Sequence, residues 1–148
     1  MCLRRTKKHG AQSLGRSRGG FSTRIHLTCD ALGNALRFIL TAGERSDITQ
    51  AENLIENFAS GAVLADKGYD ANNFISRIEA QNSSVVIPSK ANRKQQRAID
   101  RHLYKERHLI ENQIGKLKHF RRVFSRFDKL AKNYLSFVHF ASTIVWLR

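Results

Sequence analysis

Four residues in the stretch from 104 to 118, Tyr-Lys-Glu-Arg-His-Leu-Ile-Glu-Asn-Gln-Ile-Gly-Lys-Leu-Lys, are of types that act together in proton and phosphate chemistry. On a helix advancing about 100° per residue, Tyr104, Arg107, Glu111 and Lys118 fall near roughly 0°, 300°, 340° and 320°, inside one narrow strip. Beside that strip Leu103, Ile110, Ile114 and Leu117 make a seam suited to docking on a core, while Lys105, His108, Asn112, Lys116 and His119 face solvent. A carboxylate thus stands at the edge of the seam between a guanidinium and an ammonium. Two readings are open: Glu111 is a working carboxylate steadied by cations, or it pairs with Arg107 four residues away and supports the helix by about 0.3 kcal/mol.

A second carboxylate has an informative position. Asp66 directly follows the apolar run Ala62-Val63-Leu64-Ala65, which reads as a strand buried in a parallel sheet. Ligands of open α/β sheets gather at the carboxyl ends of strands, where Asp66 would lie partly buried. Burial is costly unless it meets a cation or strong donors. The alternative is that Asp66 caps the turn Lys67-Gly68-Tyr69.

The elements that must position these groups follow in chain order. Residues 1 to 20 mix Lys and Arg with Gly and Ser and show no hydrophobic period, which predicts a flexible basic arm. From Phe21 the pattern alternates, breaks at Asp30-Ala-Leu-Gly-Asn and resumes at Leu36, so an antiparallel hairpin is expected with Asp30 as turn chemistry. Asp47 and Gln50 are spaced as a capping box for a helix that stops near Gly61. Phe74, Ile75 and Ile78 mark another helix, and Ser84 to Ile87 a strand closed by Pro88. Lys90 to Arg101 is a basic connector whose Lys90, Arg93, Lys94 and Arg97 suit a DNA backbone. After the 104–118 helix, Arg121, Arg122 and Arg126 alternate with aromatics expected in the core, and a last helix buries Leu130, Tyr134, Phe137, Val138, Ala141, Ile144 and Val145.

One domain is the natural expectation for 148 residues. The net charge of +14 implies a phosphate-rich partner. The charge is segmented: residues 25 to 89 hold four basic and eight acidic groups, while residues 90 to 132 hold fourteen basic and four acidic. Basic surfaces flanking an acidic middle fit a nuclease that gathers metal ions beneath DNA better than a ribosomal or histone-like protein. Cys2 and Cys29 lack ligand spacing, which predicts free thiols in a reducing cytosol and no metal–thiolate site. Neither a signal peptide nor a membrane span is expected, and the chain reads as cytoplasmic.

The spacing of Tyr104, Arg107, Glu111 and Lys118 resembles the Tyr-Arg-Glu-Lys signature of bacterial insertion-sequence DDE transposases of the insertion-sequence four and five type. Gly15 to His26 (Gly-Arg-Ser-Arg-Gly-Gly-Phe-Ser-Thr-Arg-Ile-His), Asp30 to Ile39, Val63 to Tyr69 and the tail from Phe120 to Arg148 resemble the same family. The resemblance implies an α/β, ribonuclease H-like fold over residues 21 to 148 with a C-terminal helical segment. It also implies metal-dependent DNA cleavage and strand transfer.

By resemblance, Asp66 is the second catalytic carboxylate and Glu111 the third, together holding two Mg²⁺ or Mn²⁺ ions about 4 Å apart. Arg107 and Lys118 would steady Glu111 or phosphates, and Tyr104 would pack or hydrogen-bond at the DNA side. Arg16, Arg18, Lys116, Arg121 and Arg122 join the connector as candidate DNA contacts. The family's first Asp, on a strand preceding the Gly-Arg-Ser-Arg-Gly-Gly stretch, has no counterpart before Asp30. The expectation is therefore a fold truncated at its first strand, its missing Asp supplied by an N-terminal half from an adjacent frame or lost from a decayed copy. Partners implied are DNA at the element's ends and target, and further copies of the chain. Two rivals stand beside this: a non-catalytic DNA-binding remnant, and a stand-alone nuclease that recruits Asp30, Asp47 or Asp70.

Overall fold

The computed structural model describes residues 12 to 17 and 20 to 148, and the structural statements below concern those residues. Strands β2 (Gly20–Cys29) and β3 (Ala35–Ala42) form the expected antiparallel hairpin, Thr23 facing Ala42 and Thr28 facing Arg37. The Asp30 carboxylate accepts the backbone N–H groups of Leu32 at 2.9 Å and Asn34 at 2.8 Å. Gly33 takes φ +83°, a conformation that side chains rarely adopt. Asp30 is therefore occupied in holding the turn.

A short strand β1 (Gly15–Ser17) pairs antiparallel with the start of β2. Part of the segment expected to be a flexible arm is thus built into the sheet. The physical reason is long-range: Arg126 Nη1 donates to the Ser13 carbonyl at 3.3 Å, and the Ala131 N–H donates to Gln12 Oε1 at 2.9 Å. Residues 1 to 11 and Arg18, including Cys2, lie outside the described residues.

After the hairpin, a 3-10 turn (Asp47–Gln50) leads into a short α1 (Ala51–Ile55). The expected capping box is absent. Ser46 holds the N-cap position without a side-chain bond, and Asp47 instead turns toward β2, where Arg24 and His26 claim its carboxylate. The chain leaves the helix at Asn57, with φ +63°, short of Gly61. β4 (Ala62–Leu64) and β5 (Ser84–Val86) then pair in parallel, joined by α2 (Asn72–Ala80), which buries Phe74, Ile75 and Ile78 as its spacing predicts. The two sheets are separate, with three strands in the order β1-β2-β3 and two in β4-β5.

The stretch from 101 to 118 is two helices, α3 (Arg101–Lys105) and α4 (His108–Lys118), where one was expected. In a continuous helix the Leu109 N–H would take the Lys105 carbonyl. Here the His108 imidazole Nδ1 holds that carbonyl at 2.8 Å, and Leu109 bonds back to Glu106. The apolar seam consequently buries only in part: Leu117 is 3% exposed, whereas Leu103 and Ile114 are 36% and 38% exposed.

α4, α5 (Arg121–Phe124) and α6 (Ala131–Trp146) cover one face of the hairpin around Leu27, Phe38, Leu117, Tyr134, Val138 and Ala141. A second core gathers Ala51, Ile55, Phe74, Ile78 and Ile87 beside the small parallel sheet. Phe124 and Phe127, expected inside, are exposed, because α5 is only one turn long and its buried side is filled by Val123. No helix among the described residues is long and apolar enough to cross a membrane.

Candidate active site and nucleic-acid surface

The break before α4 places Arg107 at that helix's first turn, directly beneath Glu111. Arg107 Nη1 lies 2.6 Å from Glu111 Oε1, and its guanidinium sits 5.7 Å from the centre of the Tyr104 ring. Burial alone would lower the guanidinium's affinity for its proton, but hydrogen bonding to Glu111 and the charges of Glu111 and Tyr104 raise it overall. Arg107 Nε is buried and, among the described residues, has no hydrogen-bond partner. Glu111 itself is open to solvent, its side chain 56% exposed. Three members of the predicted strip therefore converge. Lys118 is exposed and forms no ion pair with Glu111.

Asp66 stands just past the carboxyl end of β4, as expected, but it is exposed rather than partly buried. Its Oδ1 accepts the Gly68 N–H at 2.7 Å and caps the short 3-10 turn Lys67–Tyr69. A Cβ at Gly68 would lie 2.8 Å from that oxygen, so glycine is what lets the loop approach the carboxylate so closely. The cap engages one oxygen of a carboxylate that is otherwise exposed. The turn-capping and ligand readings are compatible.

Hard oxygen donors of this kind suit Mg²⁺ or Mn²⁺. The donor chemistry fits, but the count is short: among the described residues no group of three His, Cys, Asp or Glu side chains is placed to hold a metal ion. No bond joins Asp66 to Glu111, and the two stand on elements belonging to different cores.

The acids that a stand-alone nuclease would recruit are each engaged elsewhere. Asp30 holds the hairpin turn, and Asp47 pairs with Arg24 at 3.2 Å and faces His26 Nδ1 at 3.3 Å. Asp70 is buried under the connector, 2.6 Å from Arg93 Nε, 3.5 Å from Arg97 Nη2 and 2.8 Å from the Lys90 backbone N. Burial would raise its pKa, yet the Arg93 hydrogen bond, the Lys90 amide and both arginine charges hold it below the usual carboxylate range.

This cluster changes the reading of the basic connector. Arg93 and Arg97, expected on phosphates, turn inward onto Asp70, and Arg97 Nη1 also donates to the Ile87 carbonyl at 2.9 Å. Lys90 and Lys94 remain exposed, as do Arg16, Lys116, Arg121 and Arg122. Arg121 lies over the Phe127 ring at 5.5 Å and Arg122 over Phe137 at 5.3 Å, which holds both guanidinium planes against the surface.

Sequence reasoning missed His26. It is buried, with Nε2 2.7 Å from Thr41 Oγ1, and burial lowers its pKa, aided by Arg24 and opposed by Asp47. The nearby Tyr69 phenol is pushed up to about 12 by burial, with the carboxylates of Asp47 and Asp66 adding to it. A histidine on the polar side of a strand gave no sign of this, because Thr41 comes from the paired strand β3 and Asp47 from the 3-10 turn. Cys29 is a free thiol, pushed up to about 12 by burial and by Asp30, and is inert at neutral pH.

Comparison with known proteins adds the following. The family described as "Transposase DDE domain" matches residues 2 to 128. A protein of Brucella ovis, provisionally named as transposase for insertion sequence element IS6501, is 38% identical over 130 residues, which cover 86% of this chain and 99% of that protein. No solved structure matches the chain significantly.

Proposed function

The chain belongs to the DDE transposase family and is an insertion-sequence transposase acting on DNA; from that premise we propose that Glu111 and Asp66 are two of its catalytic carboxylates. The observation that carries this is the Tyr104–Arg107–Glu111 unit. An exposed ion pair at this spacing adds only about 0.3 kcal/mol to a helix, so stability alone gives little reason to hold an open carboxylate against an aromatic-backed guanidinium.

In this reading Asp66 and Glu111 bind Mg²⁺ or Mn²⁺, with two ions in the working complex. Divalent ions held in this way stabilise charge on the entering and leaving oxygens of a phosphodiester. Arg107 orients Glu111 through their bond and balances its charge until DNA arrives. Tyr104 backs Arg107, Lys118 meets neighbouring phosphate, and the exposed Arg16, Lys90, Lys94, Lys116, Arg121 and Arg122 carry the DNA backbone.

Two further ligand oxygens or a third carboxylate are needed, and we propose that a strand bearing the family's first Asp supplies them from outside the described residues. Supporting this, among the described residues β2 beyond Ser22 and the outer edge of β4 have no strand partner on their free sides. A strand laid between them would join the two sheets into the single sheet of a ribonuclease H-like fold and stand next to Asp66. The Tyr-Arg-Glu-Lys spacing supports assignment to the insertion-sequence four and five type. The exposed Phe140 and Trp146 of α6, with Leu147 just after it, support a homo-oligomeric complex on DNA, and the reaction belongs in the bacterial cytoplasm.

The test is cleavage of the element's terminal DNA in Mg²⁺ or Mn²⁺ by the chain supplemented with a segment that carries an Asp-bearing strand. Asp66→Asn and Glu111→Gln should each lower the rate about 100-fold or more, since each removes a ligand contributing several kcal/mol at the transition state. Unimpaired cleavage by either variant refutes the assignment. The incomplete set of ligands favours a second reading, a DNA-binding remnant. It predicts binding with a steep salt dependence, equal in Glu111→Gln, and no cleavage by any combination.

A further inference from the structure

Asp66 and Glu111 stand on elements of different cores, so their relative placement depends on what joins the two halves of the molecule. The half that carries Glu111 is built on the hairpin, where α4 packs against β2 and Leu117 shares a core with Leu27. The half that carries Asp66 is the parallel sheet, whose core of Ile55, Phe74 and Ile87 also packs Ile48 and Tyr69. Between them lies the 3-10 turn Asp47–Gln50.

That turn is gripped from one side and leans on the other. From β2, Arg24 Nη1 donates to Asp47 Oδ1 at 3.2 Å and to the Arg45 carbonyl at 2.9 Å. His26, also on β2, is 3% exposed, with Nε2 2.7 Å from Thr41 Oγ1. Its Nδ1 is buried without a hydrogen bond among the described residues and faces Asp47 Oδ1 at 3.3 Å. A buried imidazole nitrogen is unfavourable unless a polar group compensates it, and the Asp47 carboxylate is the group that stands beside it. On its other side the same turn packs directly against the 3-10 turn Lys67–Tyr69, which Asp66 caps. Tyr69 records the closeness: burial first, then the charges of Asp47 and Asp66, oppose ionisation of its phenol.

Other bonds between the halves lie farther from the site. Thr28 Oγ1 donates to the Leu54 carbonyl at 3.1 Å, and Arg37 donates to the Asn53 carbonyl with its guanidinium 4.5 Å from the centre of the Phe58 ring. These fasten α1 and the residues just after it. Asp47 fastens the corner next to Asp66.

We propose that Asp47 is a positioning residue: clamped by Arg24 and His26 of β2, it sets the place of the Asp66 turn relative to α4 and Glu111. This rests on the reading of Asp66 and Glu111 as catalytic carboxylates and adds the residue that holds them in register. A carboxylate suits the task because a single oxygen, Oδ1, meets the guanidinium and the imidazole together.

The experiment measures placement first and chemistry second. Nitroxide labels on Lys67→Cys and Asn112→Cys, both exposed positions, report the distance between the Asp66 turn and α4 by pulsed electron paramagnetic resonance in the metal-free chain. Cys2→Ser removes one native thiol, and the buried Cys29, its pKa pushed up to about 12, does not react at neutral pH. Asp47→Ala should broaden or shift the distance distribution, and Asp47→Asn, which keeps the side chain's shape, should do so less. Arg37→Met cuts a bond between the same halves away from Asp66 and should leave the distribution narrow. In the unlabelled, supplemented chain, Asp47→Ala should lower the DNA cleavage rate by roughly 10- to 100-fold, the scale of an ångström's misplacement, with duplex affinity changed less than about twofold.

A distribution unchanged by Asp47→Ala overturns the proposal, and so does one that Arg37→Met broadens as much, since the halves would then be loose in general. Cleavage by Asp47→Ala at the wild-type rate overturns it too, because the contact would then be structural only. Failure of the underlying reading looks different: Asp66→Asn or Glu111→Gln would cleave unimpaired while Asp47→Ala still altered the distances. If no form of the chain cleaves, the distance comparison alone decides.

Discussion

Replacing Arg93 with methionine keeps most of the aliphatic stem and removes one charge from above a carboxylate that water does not reach, the Asp70 side chain being 0% exposed. The same Asp70 Oδ2 accepts Arg93 Nε at 2.6 Å and the Lys90 N–H at 2.8 Å, while Arg97 Nη2 stands 3.5 Å from Oδ1. Taking one partner from a buried ion pair costs about 3 to 5 kcal/mol. Arg93 is itself 28% exposed and Arg97 remains, so we expect about 2 kcal/mol here. For a chain of this length the melting temperature should fall by about 4 to 8 °C.

The pH dependence follows from the lowered pKa of Asp70. Between its folded value and the unfolded value near 3.9, the unfolded chain binds more protons, so this stabilisation is present above about pH 4 and is lost as the pH falls through the folded value. The variant's deficit should therefore be full at pH 7 and shrink as Asp70 becomes protonated. Urea denaturation at pH 7 and pH 3, with DNA affinity measured at pH 7, decides the matter. Unchanged stability together with a large loss of DNA affinity would show that Arg93 contacts phosphate and does not anchor the connector.

Glu111→Gln should leave stability within about 0.5 kcal/mol of wild type, as for any exposed i,i+4 pair, so a large drop in its denaturation midpoint would mean the residue is structural. Gly68→Ala forces a Cβ to within 2.8 Å of Asp66 Oδ1; the cap should break at a cost of about 1 kcal/mol, and DNA cleavage should fall with it. His26 has a lowered pKa, so the unfolded state takes up protons first and stability should decline as the pH drops below about 6.5; His26→Gln should flatten that decline in melts between pH 5 and 7.5. Lys94→Gln should reduce the slope of log affinity against log salt by about 1, and a slope equal to wild type would remove Lys94 from the phosphate contacts.

Local rules were readable wherever neighbours in sequence are also neighbours in space. The alternation from Phe21 gave the hairpin, Asp30 and Gly33 its turn, and the spacing of Phe74, Ile75 and Ile78 the face of α2. Arg107 and Glu111 meet because they are four residues apart, and that contact survives even though the helix predicted through them is broken at His108. The failures share a cause. Asp47 abandons its expected cap for Arg24 and His26, and Arg93 and Arg97 abandon solvent for Asp70; each partner is more than twenty residues away. At Asp70 a propensity of a few tenths of a kcal/mol gives way to a buried charge seeking compensation, and at the half-exposed Asp47 it gives way to an ion pair made across the fold.

By itself, then, the chain's order of residues determined the basic partner-binding character, the hairpin, the carboxylate after β4 and the Tyr104–Arg107–Glu111 unit. These depend on charge, periodicity and short spacings, which act before any long-range contact forms. Only tertiary structure decided which arginines are left for DNA and which aspartates are already committed. Those outcomes depend on what is buried against what, and burial sets the energy of every charge and amide it encloses.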